Sequence, residues 1–204
     1  MNTLVAAAFG YLLGSLPFGW FVARMHGVDI FAVGSKSPGA TNVRRMVGAR
    51  AGHIVFLLDA LKGAAAAGWP LLVRPHSPQV LTDCLVSLVA ALVGHSFSCF
   101  TRFKGGKGVA TGTGGLLVLL PAPTLIAAAV WTAAFYGTRY VSLASILAAV
   151  TLPVAALLLG GRMLLVATAA VISLFVIARH RSNIVRLLNG TENKFQKKQG
   201  EGSE

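Results

Sequence analysis

Long apolar stretches run through a chain of only 204 residues, and they constrain its fold more than any other feature. The clear ones cover residues 3–25, 53–73, 80–98, 142–160 and 162–178. A helix needs about 20 apolar residues to cross the hydrocarbon of a bilayer, and each stretch approaches that length. Charged residues make up 12% of the chain, and a soluble domain has roughly twice that share. The sequence therefore predicts an all-α fold, a polytopic bundle of membrane helices.

The region 109–138 fits either one long span or two short spans broken at Pro121-Ala122-Pro123. Positive residues concentrate on the cytoplasmic side of membrane proteins, and this bias separates the two alternatives. With two short spans there are seven in all, and one side then holds 15 of the 18 Lys and Arg residues. One long span would place Arg139 and the basic tail across the membrane from the other basic loops. We therefore predict seven transmembrane spans, with the N-terminus outside and the C-terminus in the cytoplasm.

The length of the chain suits one compact bundle and leaves no room for a separate soluble domain. We predict a single transmembrane domain over residues 1–193 and a flexible polar tail over residues 194–204. No basic region precedes the first apolar stretch, so we interpret it as a retained span rather than a cleaved signal. Cys84 and Cys99 are too few and too isolated for a disulfide framework or a zinc site, and no metal is expected.

The net charge of +12 is compatible with nucleic-acid binding or with attraction to a membrane surface. In a membrane protein, such an excess is explained by topology and by anionic lipid headgroups. We therefore expect the lipid bilayer as a partner and no nucleic acid.

A run of glycines and lysines, residues 104–108, lies between two apolar segments within a polar stretch that we call the second cluster, residues 94–112. The run is too flexible and too polar to cross lipid, so it must lie at the membrane face. Exposed backbone N–H groups and two ammonium groups suit an oxyanion, most plausibly a phosphate. The spacing of an ATP-binding P-loop is absent. The alternative, a basic loop that contacts lipid, does not require so many glycines.

Two more polar clusters fall on the same predicted face. The first cluster, residues 34–45, combines small residues with hydroxyl, amide and guanidinium groups that suit an anion pocket, although an ordinary solvated loop also fits. The third cluster, residues 179–192, places His180, Asn183 and Leu187 on one helical face. A juxtamembrane basic helix would explain its arginines but not the histidine and asparagine.

Asp59 and Lys62 are three residues apart inside an otherwise apolar stretch. Ionisable residues inside a membrane are costly, and they are usually paired or functional. The two residues fit a structural ion pair, and Asp59 also fits a role in orienting a basic group of the anion pocket.

Together these patterns resemble the acyl-phosphate-dependent glycerol-3-phosphate acyltransferases of bacterial membranes, the PlsY family. The resemblance covers nearly the whole chain, from residues 14–19 to residues 190–192. It depends on four ordered motifs and a weaker fifth at residues 59–63. The four are G-S-x-P-x-G, the first cluster, F-K-G-G-K-G-V-A-T and H-x-x-N-I-x-R-x-x-x-G-x-E.

This chain departs from the family pattern at three positions. Where the family usually has glycine and asparagine in the first cluster, this chain has Lys36 and Ser37. A proline is also common where Ser98 stands. Because glycine tolerates backbone conformations that lysine does not, Lys36 is expected to affect the conformation of the loop. We expect an altered affinity rather than a different reaction.

The resemblance implies transfer of a fatty acyl group from acyl phosphate to the 1-hydroxyl of glycerol 3-phosphate. The products are lysophosphatidic acid and inorganic phosphate, and this is the first step of phospholipid synthesis. It implies a multi-pass protein of the bacterial cell (inner) membrane with its site on the cytoplasmic face. It also implies no cofactor, an enzyme upstream that supplies acyl phosphate, and a monomer.

On this resemblance we expect four residues to be catalytic: His180, Lys104, Ser35 and Arg45. The glycine-rich run and residues 39–42 would hold the acyl-phosphate head, while Ser35, Arg45, His180 and Asn183 would hold glycerol 3-phosphate, with Lys104 between the two. The expected substrate-binding residues are Gly39, Ala40, Thr41, Asn42, Gly105, Gly106, Lys107, Gly108, Asn183, Glu192, Asp59 and Lys62.

Two questions stay open at this stage. His180 is a candidate general base, but substrate phosphate could instead take the proton while His180 positions it. A small organophosphate transporter would share the basic face, yet it should place binding groups near the midplane of the membrane. A lipid-binding protein without catalysis would explain the charge but neither the glycines nor the His180 motif.

Overall fold

In a computed structural model of the chain, residues 3–195 are described, and they form ten α-helices with short connections. The helices are α1 (Thr3–Ser15), α2 (Phe18–Met25), α3 (Ala40–Met46), α4 (Ala49–Val73), α5 (Val80–Ser96), α6 (Val109–Leu119), α7 (Pro121–Thr138), α8 (Val141–Leu158), α9 (Met163–Arg179) and α10 (Arg181–Leu188). One 3₁₀ turn, Cys99–Thr101, follows α5. The described part of the chain contains no strand, which confirms the all-α fold.

Each apolar stretch of the sequence forms helix in the structure. Four segments are long and apolar enough to cross a membrane: Thr3–Met25, Ala49–Val73, Val80–Thr101 and Val141–Leu158. A fifth candidate is α9 taken together with α10, and the two helices meet at an angle of 59°. The chain is therefore an integral membrane protein with four or five candidate spans by length and composition. Seven spans and the orientation of the termini stay predictions.

The ambiguous region 109–138 forms two helices rather than one. The break falls at Leu120, and Pro121 opens α7 at a position where its missing N–H costs no hydrogen bond. With 11 residues, α6 is short for a membrane helix. The first apolar stretch is also divided, because Pro17 separates α1 from α2.

Small residues allow several helices of this bundle to approach closely. A Cβ on Gly114 of α6 would meet the backbone of Ala60 in α4, and one on Gly14 of α1 would meet the backbone of Ala91 in α5. These contacts join α1, α4, α5 and α6 into one tightly packed group. Helices α7 to α10 pack mainly against one another, and the two groups meet along α5, α6, α7 and α9.

Candidate functional site

The structure brings the second and third clusters into direct contact. The Lys107 ammonium donates a hydrogen bond to the Asn183 side-chain oxygen over 2.6 Å. The Arg179 guanidinium donates to the carbonyl of Gly106 over 3.1 Å. These bonds tie the glycine-rich run to the residues on either side of His180. We call the surface formed by the three clusters the site face.

The first cluster meets the second at a narrow cleft that has room for about one water molecule. Pro38 lines it from the first cluster, and Lys104 and Gly105 line it from the second. The α1–α2 junction closes another side, where Gly19 lies directly against the carbonyl of Pro38. The predicted grouping of basic and glycine-rich segments on one face is therefore seen in the contacts.

Asn42 organises the loop of the first cluster from inside. Its side-chain oxygen accepts the backbone N–H of Ser35 over 2.9 Å. Its amide nitrogen donates to the carbonyls of Val33 and Ser37 at 3.2 and 3.0 Å. Asn42 is 2% exposed, so its polar atoms are satisfied by the loop itself. Ser35 and Arg45 are exposed beside it, and direct binding of substrate by these residues stays a prediction.

Lys36 adopts the left-handed conformation, with a φ of 53°. A side chain in this conformation is strained, and glycine relieves the strain because it has no Cβ. The departure from the family pattern at this position thus has a local cost. The effect expected of Lys36 on the loop is therefore backbone strain at residue 36.

We expect Lys36→Gly to raise the free energy of unfolding by about 0.5–1 kcal/mol. The relief of backbone strain at residue 36 outweighs the extra conformational entropy that a glycine chain loses on folding. Lys36→Ala is the matched control, since it removes the same ammonium but keeps a Cβ. Thermal unfolding in detergent should therefore rank the glycine variant above the alanine variant. Equal midpoints for the two variants would contradict the assigned strain.

The glycines of the second cluster allow the loop to lie against the end of α5. Gly106 donates its N–H to the carbonyl of His95 over 3.1 Å. A Cβ on Gly105 would meet that same carbonyl, and one on Gly106 would meet the His95 ring. Gly108 has a φ of 83° and precedes α6. Close packing therefore requires glycine here, in addition to any contact with phosphate.

His95 was not among the predicted site residues, although it lies in the second cluster. Its Nδ1 is 3.6 Å from the Asp59 carboxylate, which also pairs with the Lys62 ammonium at 2.8 Å. Lys62 donates to the carbonyl of Leu16 over 2.8 Å, at the break between α1 and α2. Asp59 and Lys62 are thus a buried ion pair with structural contacts, and they line the cleft. Sequence spacing could pair them but could not show His95 or Leu16 beside them.

Glu192 is the centre of a hydrogen-bond network in the third cluster. Its carboxylate accepts from Asn183 at 2.7 Å, from Arg186 at 2.7 Å and from Ser142 at 2.9 Å. Burial opposes the charge, but these hydrogen bonds lower the pKa of Glu192 below its usual value. The carboxylate holds Asn183, and Asn183 in turn accepts from Lys107. Glu192 therefore holds Asn183 and Arg186 in position. Its predicted contact with substrate stays a prediction.

His180 lies buried between α9 and α10, with 3% of its surface exposed. Its Nδ1 is 2.8 Å from the carbonyl oxygen of Val176. Because a carbonyl only accepts, Nδ1 is the protonated nitrogen, and Nε2 keeps a free lone pair. Burial, together with the nearby Lys107 charge, lowers the pKa of His180 to about 4. The imidazole is therefore neutral at physiological pH and able to accept a proton through Nε2.

Lys107 lies half-buried among several charged groups. Burial lowers its pKa to about 8, the Glu192 carboxylate opposes this shift, and Arg186, Arg179 and Arg45 reinforce it. A cationic surrounding of this kind attracts an anionic ligand. Lys104 is exposed at the rim of the cleft. Among residues 3–195 no group of three His, Cys, Asp or Glu side chains could hold a metal ion.

Comparison with known proteins gives one consistent family. The sequence model of the family described as glycerol-3-phosphate acyltransferase matches residues 4–190. A glycerol-3-phosphate acyltransferase of Fusobacterium nucleatum is 44% identical over 187 residues, which is 91% of this chain and 94% of that protein. One from Geobacter sulfurreducens is 43% identical over 198 residues, which is 96% of this chain and 99% of that protein.

The fold is similar to two crystal structures of PlsY (YgiH), described as an integral membrane glycerol 3-phosphate acyltransferase. The glycerol 3-phosphate form is 40% identical and has a TM-score of 0.89. The lysophosphatidic acid form is 39% identical and has a TM-score of 0.87. Each comparison covers 96% of both chains.

Proposed function

Because this chain belongs to the glycerol-3-phosphate acyltransferase family, we propose that it transfers a fatty acyl group from acyl phosphate to the 1-hydroxyl of glycerol 3-phosphate. The products are lysophosphatidic acid and inorganic phosphate. The main support is the hydrogen bond from Lys107 to Asn183, which places the glycine-rich run beside a neutral, buried His180. An anion-binding loop next to a proton acceptor is the arrangement that this reaction needs.

Both substrates have phosphate groups, so the site face must hold two anions. We assign the acyl-phosphate head to residues 104–108 together with residues 39–41, and we leave out Asn42 because its amide is bonded within its own loop. Ser35, Arg45 and Asn183 hold glycerol 3-phosphate, and Lys104 lies between the two phosphates. The exposure of Ser35, Arg45 and Lys104 leaves these side chains accessible to a substrate, and Pro38 and Lys104 line one cleft between the two segments.

In the proposed step, the 1-hydroxyl oxygen of glycerol 3-phosphate attacks the carbonyl carbon of acyl phosphate. A new ester bond forms, the bond from the carbonyl carbon to the phosphate oxygen breaks, and phosphate leaves with the electron pair. Because acyl phosphate is a mixed anhydride, it is already activated, and positioning with charge stabilisation supplies most of the catalysis. The Lys104 and Lys107 ammonium groups stabilise the charge that develops on the leaving phosphate.

His180 is the proposed general base. Its Nδ1 proton is held by the Val176 carbonyl, so Nε2 is the nitrogen that takes the proton of the substrate hydroxyl. A bound phosphate dianion raises the pKa of a neighbouring imidazole, which brings His180 from about 4 toward the working pH. The network from Glu192 through Asn183 keeps the neighbouring side chains in place.

We further propose seven spans, with α6 and α7 crossing separately and the site on the cytoplasmic face of the bacterial inner membrane. The contacts at the two ends of this helix pair support it. The chain enters α6 directly after Lys107, which bonds Asn183. It leaves α7 at Arg139, whose carbonyl accepts from Phe195. Both ends thus lie at the site face, so α6 crosses the membrane away from this face and α7 crosses back to it.

The acyl donor is tested by supplying purified protein with glycerol 3-phosphate and either palmitoyl phosphate or palmitoyl coenzyme A. We expect lysophosphatidic acid with palmitoyl phosphate as the donor and none with palmitoyl coenzyme A. The reaction should need no added cofactor, and the active protein should be a monomer. An enzyme that makes acyl phosphate would supply the donor in the cell. Product formed from palmitoyl coenzyme A, or uptake of glycerol 3-phosphate into liposomes without any product, would overturn the proposal.

The charge of Lys107 predicts an alkaline limit for activity. A group with a pKa of about 8 is mostly protonated at pH 7 and mostly neutral at pH 9, so kcat/KM for glycerol 3-phosphate should fall about tenfold over this interval. In Lys107→Arg the positive charge persists at high pH. The residual kcat/KM of this variant should therefore be the same at pH 7 and pH 9. A wild-type profile that stays flat to pH 9.5 would contradict the role of this ammonium.

A further inference from the structure

Lys194 and Phe195 pack against the helices of the site face. They lie beyond the family-matched residues 4–190, in a segment that the sequence assigns to a flexible tail. Residues 196–204 of that tail lie outside the described residues. The contacts of Lys194 and Phe195 therefore involve residues outside the motifs that carry the proposed reaction. We call this pair of residues the tail clasp.

Phe195 joins elements that are distant in sequence. Its ring centroid is 4.5 Å from the guanidinium carbon of Arg44, a cation–π contact with α3. The ring also packs edge-on against Phe135 of α7, with centroids 5.4 Å apart. The Phe195 N–H donates to the Arg139 carbonyl over 2.8 Å, and the Lys194 ammonium lies 5.5 Å from the Tyr140 ring. The backbone bond and three ring contacts fix the clasp.

The tail clasp connects the two groups of helices, and residues of the proposed site are divided between these groups. Ser35, Arg45 and Lys104 belong to the group formed by α1 to α6, whereas His180 and Asn183 belong to the group formed by α7 to α10. Since α3 packs mainly on α4, it has few contacts with the second group. The Arg44–Phe195 contact is a direct link from α3 to that group on the site face.

Arg44 is adjacent to Arg45, the proposed ligand of the glycerol 3-phosphate phosphate. The Arg44 guanidinium is held on its other side by His53 of α4, over 2.9 Å. Fixing Arg44 between α4 and the tail fixes the orientation of α3, which is only seven residues long. The adjacent Arg45 is then held in place relative to the end of α7 and to the segment that follows Glu192.

We propose that Phe195 and Arg44 are positioning residues for glycerol 3-phosphate, and that they set the affinity of the site by holding α3 against the end of α7 and the segment that follows Glu192. This inference rests on the proposed function. Neither residue touches the reacting atoms, so the clasp acts on substrate binding and leaves the chemical step unchanged. The acyl phosphate, assigned chiefly to residues 104–108, depends on the clasp less.

The test is a double-mutant cycle with Arg44→Ala, Phe195→Ala and the double variant. We expect each single variant to raise the KM for glycerol 3-phosphate about three- to tenfold, the range that corresponds to a partly buried cation–π contact. Because both remove the Arg44–Phe195 contact, the double variant should raise KM by clearly less than the product of the two single effects. The kcat and the KM for palmitoyl phosphate should stay close to wild type, and Phe195→Tyr should restore the affinity.

Phe9→Ala is the control, since Phe9 is an exposed phenylalanine of α1 whose ring packs on Trp69 rather than on the clasp, and the KM of this variant should not change. If Phe195→Ala does not fold, Phe195→Leu keeps most of the volume while removing the aromatic face. An unchanged KM in Phe195→Ala or Phe195→Leu, or multiplied effects in the double variant, would overturn the proposal.

The same cycle measured on melting temperature needs no activity. If wild type made no lysophosphatidic acid, the proposed function would fail. Non-additive melting shifts would then support the clasp contact alone, and additive shifts would reject it.

Discussion

Replacing His180 with glutamine is expected to lower kcat by about 100- to 10,000-fold, which is the usual contribution of a general base. Glutamine keeps a neutral side chain of similar length but cannot take the proton of the substrate hydroxyl. The KM for glycerol 3-phosphate should change by less than about threefold, because the phosphate contacts lie on other residues. Steady-state kinetics over a range of both substrates would measure the two parameters separately.

His26→Gln is a matched control. The Nδ1 of His26 also lies 2.8 Å from a carbonyl four residues earlier, that of Val22, but the side chain is exposed. Its replacement should leave both parameters unchanged. If His180→Gln kept most of its kcat and only raised KM, the substrate phosphate would be the proton acceptor and His180 a positioning group.

The second large effect is expected from Gly105→Ala. The new Cβ would meet the carbonyl oxygen of His95 and lie 2.7 Å from backbone atoms of Ser96, and neither can move aside without shifting α5. The loop that includes Lys104 must therefore shift instead. Because a displacement of about 1 Å in a site can cost about 100-fold in rate, we expect a loss of this size in kcat/KM.

Gly112→Ala provides the comparison for Gly105→Ala within the same cluster. A Cβ there would lie 3.6 Å from the Leu92 side chain and 3.8 Å from Ile172, which are ordinary contacts. Within helix α6, alanine also has the better helix propensity, so the protein should be no less stable. Similar kcat/KM losses in both variants would show that the cluster needs flexible glycines generally and not close packing at Gly105.

Local sequence patterns predicted the helices well because hydrophobicity and proline act at short range. The apolar stretches mark α4, α5, α8 and α9 nearly to their ends, and the charge bias separated α6 from α7. The pairing of Asp59 with Lys62 also followed from spacing alone. The helix ends and the ion pair depend on residues close in the chain, whereas the charge bias depends on composition summed over all the loops.

Features that depend on distant residues could not be predicted. The sequence placed Asn42 in an anion pocket, but tertiary contacts turn its amide toward the loop backbone. His95 lies in the second cluster, but its contact with Asp59 comes from a distant segment of the chain, which no local pattern indicates. The packing of Phe195 on Arg44 joins residues some 150 positions apart, and no periodicity signals it.

The most direct test of the proposed reaction is phosphate release from palmitoyl phosphate by purified protein, with and without glycerol 3-phosphate. We predict release that requires glycerol 3-phosphate, that is matched mole for mole by lysophosphatidic acid, and that falls at least about 100-fold in Lys104→Ala. Release that does not depend on glycerol 3-phosphate, or a Lys104→Ala variant as active as wild type, would contradict this account of the site.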